Sequence, residues 1–139
     1  MIIWCLDLRV AIPIKKDEGL DSKTSGHFGQ AEYFIIIDLK VTEKSKSLSS
    51  TDIDQWSPQY YVVQSLPEQG CTTRVDLLIG NKIDILLVEA IGGKPFALFK
   101  RHGITIYGGA IGNIKAVLNK FLSHKLEELK EGLCSDNPL

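Results

Sequence analysis

Along this 139-residue chain the apolar positions switch from the two-residue period of strands to the wider spacing of helices. Leu8 to Ile14 (LRVAIPI) is rich in β-branched side chains and reads as a strand, with a start as early as Ile2. Its near-continuous apolar character predicts a central strand buried on both faces. Lys15 to Gly26 is polar and turn-rich, a loop. Tyr33 to Leu39 (YFIIIDL) predicts a second strand, and the weak alternation from Val41 to Thr51 predicts a third, more exposed one. Asp52 to Gly70 carries Ser57-Pro58 and Pro67 and reads as an irregular connection, with one short element around Tyr60 to Val63.

The second half alternates helix and strand. Cys71, Val75, Leu78 and Ile79 recur at i, i+4, i+7 and i+8, one face of a helix that Gly80-Asn81 stops. Ile83 to Val88 is a strand, Gly92-Gly93 a turn, and Pro95 suits a first helical position. Phe96 and Phe99 form the inner face of that helix, which Gly103 ends. Ile104 to Tyr107 is a short strand. Gly108, Gly109 and Gly112 make a second loop, and Asn113 caps a last helix whose stripe is Ile114, Val117, Leu118, Phe121 and Leu122. Strand–helix–strand units imply parallel neighbours with right-handed crossovers. The first half has no helix to cross over, so its strands pair antiparallel. The expectation is an α/β domain with a mixed five-stranded sheet, spanning 1–139, with its core at 8–129 and a flexible tail at 130–139.

Composition narrows the function classes. Hydrophobic residues are 44% and charged residues 24%, a globular mixture, and the net charge of −1 lacks the basic field that nucleic-acid binding needs. No apolar run approaches the roughly 20 residues of a membrane span. Met1 to Leu6 is apolar but has no basic region before it, so it does not read as a signal peptide. Cys5, Cys71 and Cys134 are too few and too scattered for a disulfide framework or an all-cysteine metal cage, and a reducing cytoplasm is the expected setting.

Candidate chemistry lies in the loops. Both glycine loops follow parallel strands and precede helices, so they fall at the carboxyl edge of the sheet, where open α/β folds bind ligands. Backbone N–H groups and helix N-termini there suit an anion, although the glycines also serve simply as turn formers. Neither loop completes a nucleotide code: Gly92-Gly93-Lys94-Pro95 is no P-loop, and Tyr107 stands where Gly109-x-x-Gly112 would need a first glycine. In Ser25-Gly26-His27-Phe28-Gly29, Phe28 can anchor the segment while His27 points outward as a metal ligand or base, or as an ordinary surface histidine. Cys71 opens a helix, where the dipole promotes thiolate and hence soft-metal ligation; its other reading is a small core residue. His102 and His124 sit at helix C-termini and read as structural. The first strand lacks the central carboxylate of a ribonuclease-H-like nuclease, and Glu89 is a lone acid at the end of its strand.

These features together resemble the dinitrogenase iron–molybdenum cofactor biosynthesis family, from about Arg9 to Leu129. The resemblance rests on Val10-Ala11-Ile12-Pro13, then Ser25-x-His27-Phe28-Gly29-x-Ala31-x-x-Phe34 leading into Ile35-Ile36-Ile37-Asp38. Ile91-Gly92, Gly103-Ile104, Gly112-Asn113 and Phe121-Leu122-x-x-x-Leu126 continue the match. It implies a three-layer α/β/α fold of ribonuclease-H-like topology without the nuclease acids. It also implies a non-enzymatic protein, related to nitrogen fixation, that binds or ferries iron–sulfur or molybdenum–iron–sulfur clusters and works with cofactor assembly proteins. His27 falls on the family's histidine. Many relatives carry His-Gly before the first long helix, where this chain has Gln69-Gly70, and Cys71 stands next as a substitute ligand.

The leading expectation is therefore a cytoplasmic cluster carrier, a monomer or weak homodimer. His27 and Cys71 would contact metal, and His27, Gly29, Gly92, Gly93 and Gly109 would line the site. The alternatives are a small-molecule or nucleotide-binding module on the same glycine loops, and a metal-free interaction domain docking through Val41 to Thr51.

Overall fold

The structure is a computed structural model that describes residues 5–42, 59–65 and 71–130, with side chains for 8–39, 59–65 and 72–130. In chain order these form β1 (Cys5–Ile14), β2 (Tyr33–Thr42), β3 (Gln59–Gln64), α1 (Cys71–Gly80), β4 (Ile85–Leu87), α2 (Gly93–Arg101), β5 (Thr105–Gly108), α3 (Ile114–Leu122) and β6 (Glu127–Glu128). One sheet holds all the described strands, in the order β3-β2-β1-β4-β5-β6. β1 pairs antiparallel with β2 from Cys5–Thr42 to Ile14–Tyr33, and β2 antiparallel with β3. β1–β4 and β4–β5 are parallel, as the strand–helix–strand pattern requires.

Alternation along the central strands divides the core in two. Ala11, Phe34, Ile36, Leu86 and Ile106 face one side, packed against Val75 and Leu78 of α1 and Phe96 and Phe99 of α2. Val10, Ile12, Ile14, Ile35, Ile37, Ile85 and Leu87 face the other, under Ile114, Val117, Leu118 and Leu122 of α3. β1 and β2 thus read as continuous apolar runs because both faces are covered.

Four expectations need correction. The sheet has six strands, not five: β6 pairs antiparallel with β5 through Tyr107–Glu128 and Gly108–Glu127, in a stretch that carries no β-branched or aromatic signal. Among the described residues the third strand is Gln59–Gln64, at the short element expected around Tyr60 to Val63; Val41 and Thr42 continue β2 rather than opening a new strand, and the remainder of that expected segment, 43–51, lies outside the described residues, as do 1–4 and 131–139. Pro95 is the third residue of α2 rather than the first, still among positions whose N–H has no helical acceptor. After α1 the left-handed residue is Lys82, at φ 60°, and Gly80 keeps an ordinary φ. Gly103 does take the left-handed turn after α2, at φ 76°.

Candidate functional site

The loops that follow β1, β4 and β5 leave the same edge of the sheet, and backbone hydrogen bonds join them. The segment after β1 is held to its own strand by the Ser25 N–H donating to the Pro13 carbonyl at 2.9 Å. It meets the β5–α3 loop where Thr24 N–H donates to Gly112 carbonyl at 2.9 Å and Ile114 N–H to Ser22 carbonyl at 3.0 Å. It meets the β4–α2 loop where Phe28 N–H donates to Ala90 carbonyl at 3.1 Å. Ala110 N–H donates to Val88 carbonyl at 3.0 Å, so the two glycine loops also touch.

His27 opens a short 3-10 turn, Phe28–Gln30, and its Nδ1 accepts the Gly29 N–H at 3.2 Å. An accepting Nδ1 leaves the ring proton of the neutral imidazole on Nε2. The half-buried ring is therefore set as an N–H donor through Nε2, and ligation of a metal by Nε2 would require this hydrogen bond to be given up. Phe28 is fully buried, its ring 5.5 Å from Phe34 and 5.4 Å, edge-on, from Phe99. Glu89 lies over Gly26: a Cβ on that glycine would sit 3.5 Å from the carboxylate.

The two glycine loops differ. Gly92 is the N-cap of α2 with no side-chain cap, Gly93 is exposed with open space around it, and Pro95 has no N–H. This helix end therefore presents its first amides without a capping side chain. The N-terminus of α3 is closed: Asn113 accepts the Ala116 N–H at 2.8 Å, as its position predicts. Gly109 and Gly112 hold φ of 82° and 122°, values that favour glycine, and Gly112 N–H donates to Thr24 Oγ1 at 3.2 Å. Gly109 borders a separate cleft of about 420 Å³ lined by Gly108, Lys125, Glu127, Glu128, Leu129 and Lys130, with none of His27, Gly29, Gly92 or Gly93 in its wall. The structure joins the turn that His27 opens to the Ala90–Gly93 loop through Phe28, and places Gly109 against Leu126 and the cleft beside β6. The backbone of Cys71 is the first residue of α1, one turn before Arg74 and Val75. Among the described residues, no group of three or more His, Cys, Asp or Glu side chains could hold a metal ion.

His102 caps α2, its Nδ1 2.9 Å from the Leu98 carbonyl, and His124 lies just past α3 at φ 60°. Both are structural in position. What the sequence did not flag is the polar scaffold. The buried polar and charged side chains among the described residues are Ser22, Thr24, Ser65 and Arg74. Each holds the segment between β1 and β2: Ser22 Oγ accepts the Glu18 N–H, Thr24 binds Gly112, and Ser65 Oγ and Arg74 Nε both donate to the Ala31 carbonyl, at 3.0 and 2.8 Å. The available signal was Arg74 itself, a charged residue interrupting the Cys71–Val75–Leu78 stripe.

A profile of the family described as dinitrogenase iron-molybdenum cofactor matches residues 8–124, from within β1 to just past α3. The chain belongs to that family. Among its relatives, an uncharacterized protein of Methanocaldococcus jannaschii is 25% identical over 128 residues, covering 88% of this chain and 92% of its own. A Thermotoga structure described as a NifB candidate of the DUF35 family aligns with TM-score 0.67 and 26% identity, over 92% of this chain and 98% of that one. The apo form of the orange protein from Desulfovibrio gigas shares the fold, with TM-score 0.64 and 16% identity over 89% and 94% of the two chains. Among the described residues no helix is long and apolar enough to cross a membrane.

Proposed function

We propose that this protein is a non-enzymatic carrier for an anionic metal–sulfur cluster, iron–sulfur or molybdenum–iron–sulfur, in the assembly of a nitrogenase-type cofactor. The cargo sits at the corner between the His27 turn and the uncapped start of α2. The observation that carries the reading is the 3.1 Å hydrogen bond from Phe28 N–H to Ala90 carbonyl, which ties the turn opened by His27 to the loop ending at Gly92 and Gly93. His27 Nε2–H and the amides of Gly93 and Lys94 act as hydrogen-bond donors to bridging sulfides, and the dipole of α2 adds partial positive charge. The exposed Lys94 side chain at that helix end favours the same sign.

This donor set fits a cargo better than a resident cofactor. Thiolate and imidazole cages hold clusters through several metal–ligand bonds, whereas this site offers hydrogen bonds and a single metal–sulfur bond from Cys71, so release remains easy. In this reading Cys71 is the soft ligand that joins from α1, and the site is completed in the cytoplasm by cofactor assembly proteins that give or receive the cluster. Gly109 belongs to the outer margin of the same carboxyl edge. The sheet order β3-β2-β1-β4-β5 is read as ribonuclease-H-like, with β6 added. The protein acts as a monomer or weak homodimer.

The test is anaerobic titration with tetrathiomolybdate and with a reconstituted iron–sulfur cluster, followed by charge-transfer absorbance, for wild type, His27→Ala and Cys71→Ser. Saturable absorbance that needs a higher cluster concentration in His27→Ala supports the reading. No absorbance change, or the same change in His27→Ala, ends it. A second reading, a small-molecule module, is favoured by the cleft beside Gly109, whose volume of about 420 Å³ is within the usual range for ligand sites. Thermal stabilisation by nucleotides and none by clusters would select it.

A further inference from the structure

Arg74 is 5% exposed, the buried charged side chain among the described residues. Removing a guanidinium from water is costly unless its N–H groups find acceptors. Its Nε donates at 2.8 Å to the Ala31 carbonyl, and the buried Ser65 Oγ donates to the same oxygen at 3.0 Å. Ala31 closes the 3-10 turn that His27 opens, and its own N–H returns to the Phe28 carbonyl at 3.2 Å. The far end of the turn is therefore clamped from α1 and from the end of β3, while the near end is clamped by Phe28 to Ala90. Between the clamps lies the Gly29 N–H that fixes the tautomer of His27.

We propose that Arg74 is the positioning residue of the His27 site. Through the Ala31 carbonyl it holds the turn in the geometry that keeps Gly29 N–H on Nδ1, and so keeps His27 an Nε2–H donor towards the anionic guest. A lysine cannot replace it. An ammonium keeps the charge but loses the planar, directed Nε–H.

The inference rests on the proposed function for its significance, but the first measurement needs no cluster. In ¹⁵N spectra of the metal-free protein, wild-type His27 should show one accepting and one protonated ring nitrogen. Arg74→Lys should average the two towards each other and weaken the downfield shift of the Gly29 amide, with the Phe28 and Phe99 ring signals unmoved. Ser65→Ala, which removes the second donor to the same carbonyl, should shift them in the same direction and serves if the Arg74 variant does not fold. An unchanged His27 pair in every folded variant overturns the proposal. In the second measurement, tetrathiomolybdate should bind Arg74→Lys about tenfold more weakly, as expected for a charge-assisted hydrogen bond lost. Equal binding by a variant whose His27 tautomers have mixed overturns the link between position and recognition. Failure of wild type to bind any cluster removes the carrier reading instead and leaves the spectroscopic result standing.

Discussion

Phe28 offers the sharpest test of how the site is anchored. Its side chain is fully buried at the meeting point of Phe34, 5.5 Å away, and Phe99, 5.4 Å away and edge-on, and it lies directly after His27. Phe28→Ala removes the ring and leaves a void between β2, α1 and α2. Phe-to-Ala changes at buried sites cost about 3–5 kcal/mol, and the two ring pairs place this one near the middle, at about 4 kcal/mol. Unfolding entropy near 60 °C is about 2.1 cal/mol/K per residue, roughly 0.3 kcal/mol/K for 139 residues, so the midpoint should fall by roughly 14 °C. Phe28→Leu refills most of the void and should lose about 1–2 kcal/mol. Urea denaturation by circular dichroism measures both, with equal slopes required for the comparison. The Phe28 N–H bond to Ala90 is a main-chain bond and is available to both variants, so a loss in Phe28→Ala reports the ring. A loss under about 1.5 kcal/mol for Phe28→Ala would show that the ring does not close this cluster, and the account of how His27 is held would fall with it.

Three further outcomes are expected. Gly93→Ala, in open space at an ordinary φ, should stabilise by about 0.5 kcal/mol while weakening cluster binding, whereas Gly109→Ala, at φ 82°, should destabilise by about 1–2 kcal/mol; chemical denaturation and cluster titration of each separate the two roles. Asn113→Ala should cost about 1 kcal/mol by uncapping α3, read from the same denaturation curves, with no change in cluster binding. Arg9 bonds Asp38 at 2.8 Å and the Asn81 carbonyl at 2.9 Å; its pKa is raised, first by the Asp38 hydrogen bond, with Asp38, Tyr61 and Asp84 adding smaller attraction and burial opposing. A raised cationic pKa gives stability that is complete below the unfolded value and is lost only as pH rises through the folded one. Both lie above the working range, so Arg9→Gln should lose the same amount, about 1 kcal/mol after allowing for the half-exposed pair, in urea titrations at pH 6 and pH 8.

The core was legible in the sequence because its signal is periodic. The run Leu8 to Ile14 predicts a strand covered on both faces, and Val10, Ala11, Ile12 and Ile14 are buried; Ile114, Val117, Leu118 and Leu122 of the stripe predicted for the last helix are buried as well. Phe121 is only partly covered, resting edge-on against Tyr107 at 5.3 Å at the rim of the same face. β6 was not legible, since Glu127 and Glu128 carry no strand propensity and are recruited by the free rim of β5. The site was legible as two glycine loops and a histidine, but not in how they combine. Spacing cannot tell that Phe28 reaches Ala90, that Gly109 opens on a different cleft, or that Arg74 turns inward to a carbonyl 43 residues away. Such contacts depend on strands remote in the chain coming to lie side by side.

The two residues of β6 carry a consequence for how copies of this protein behave in a crowded cell. They occupy the outer rim of β5, and they place Glu127 and Glu128 where another chain would have to zip on. Adjacent carboxylates at a sheet margin repel their own kind, a common safeguard against runaway polymerisation. Truncation before Leu126 would uncover the outer rim of Thr105–Gly108 and also strip Leu126 and Leu129 from the two core clusters, so the last described strand serves as guard rail and structural beam at once.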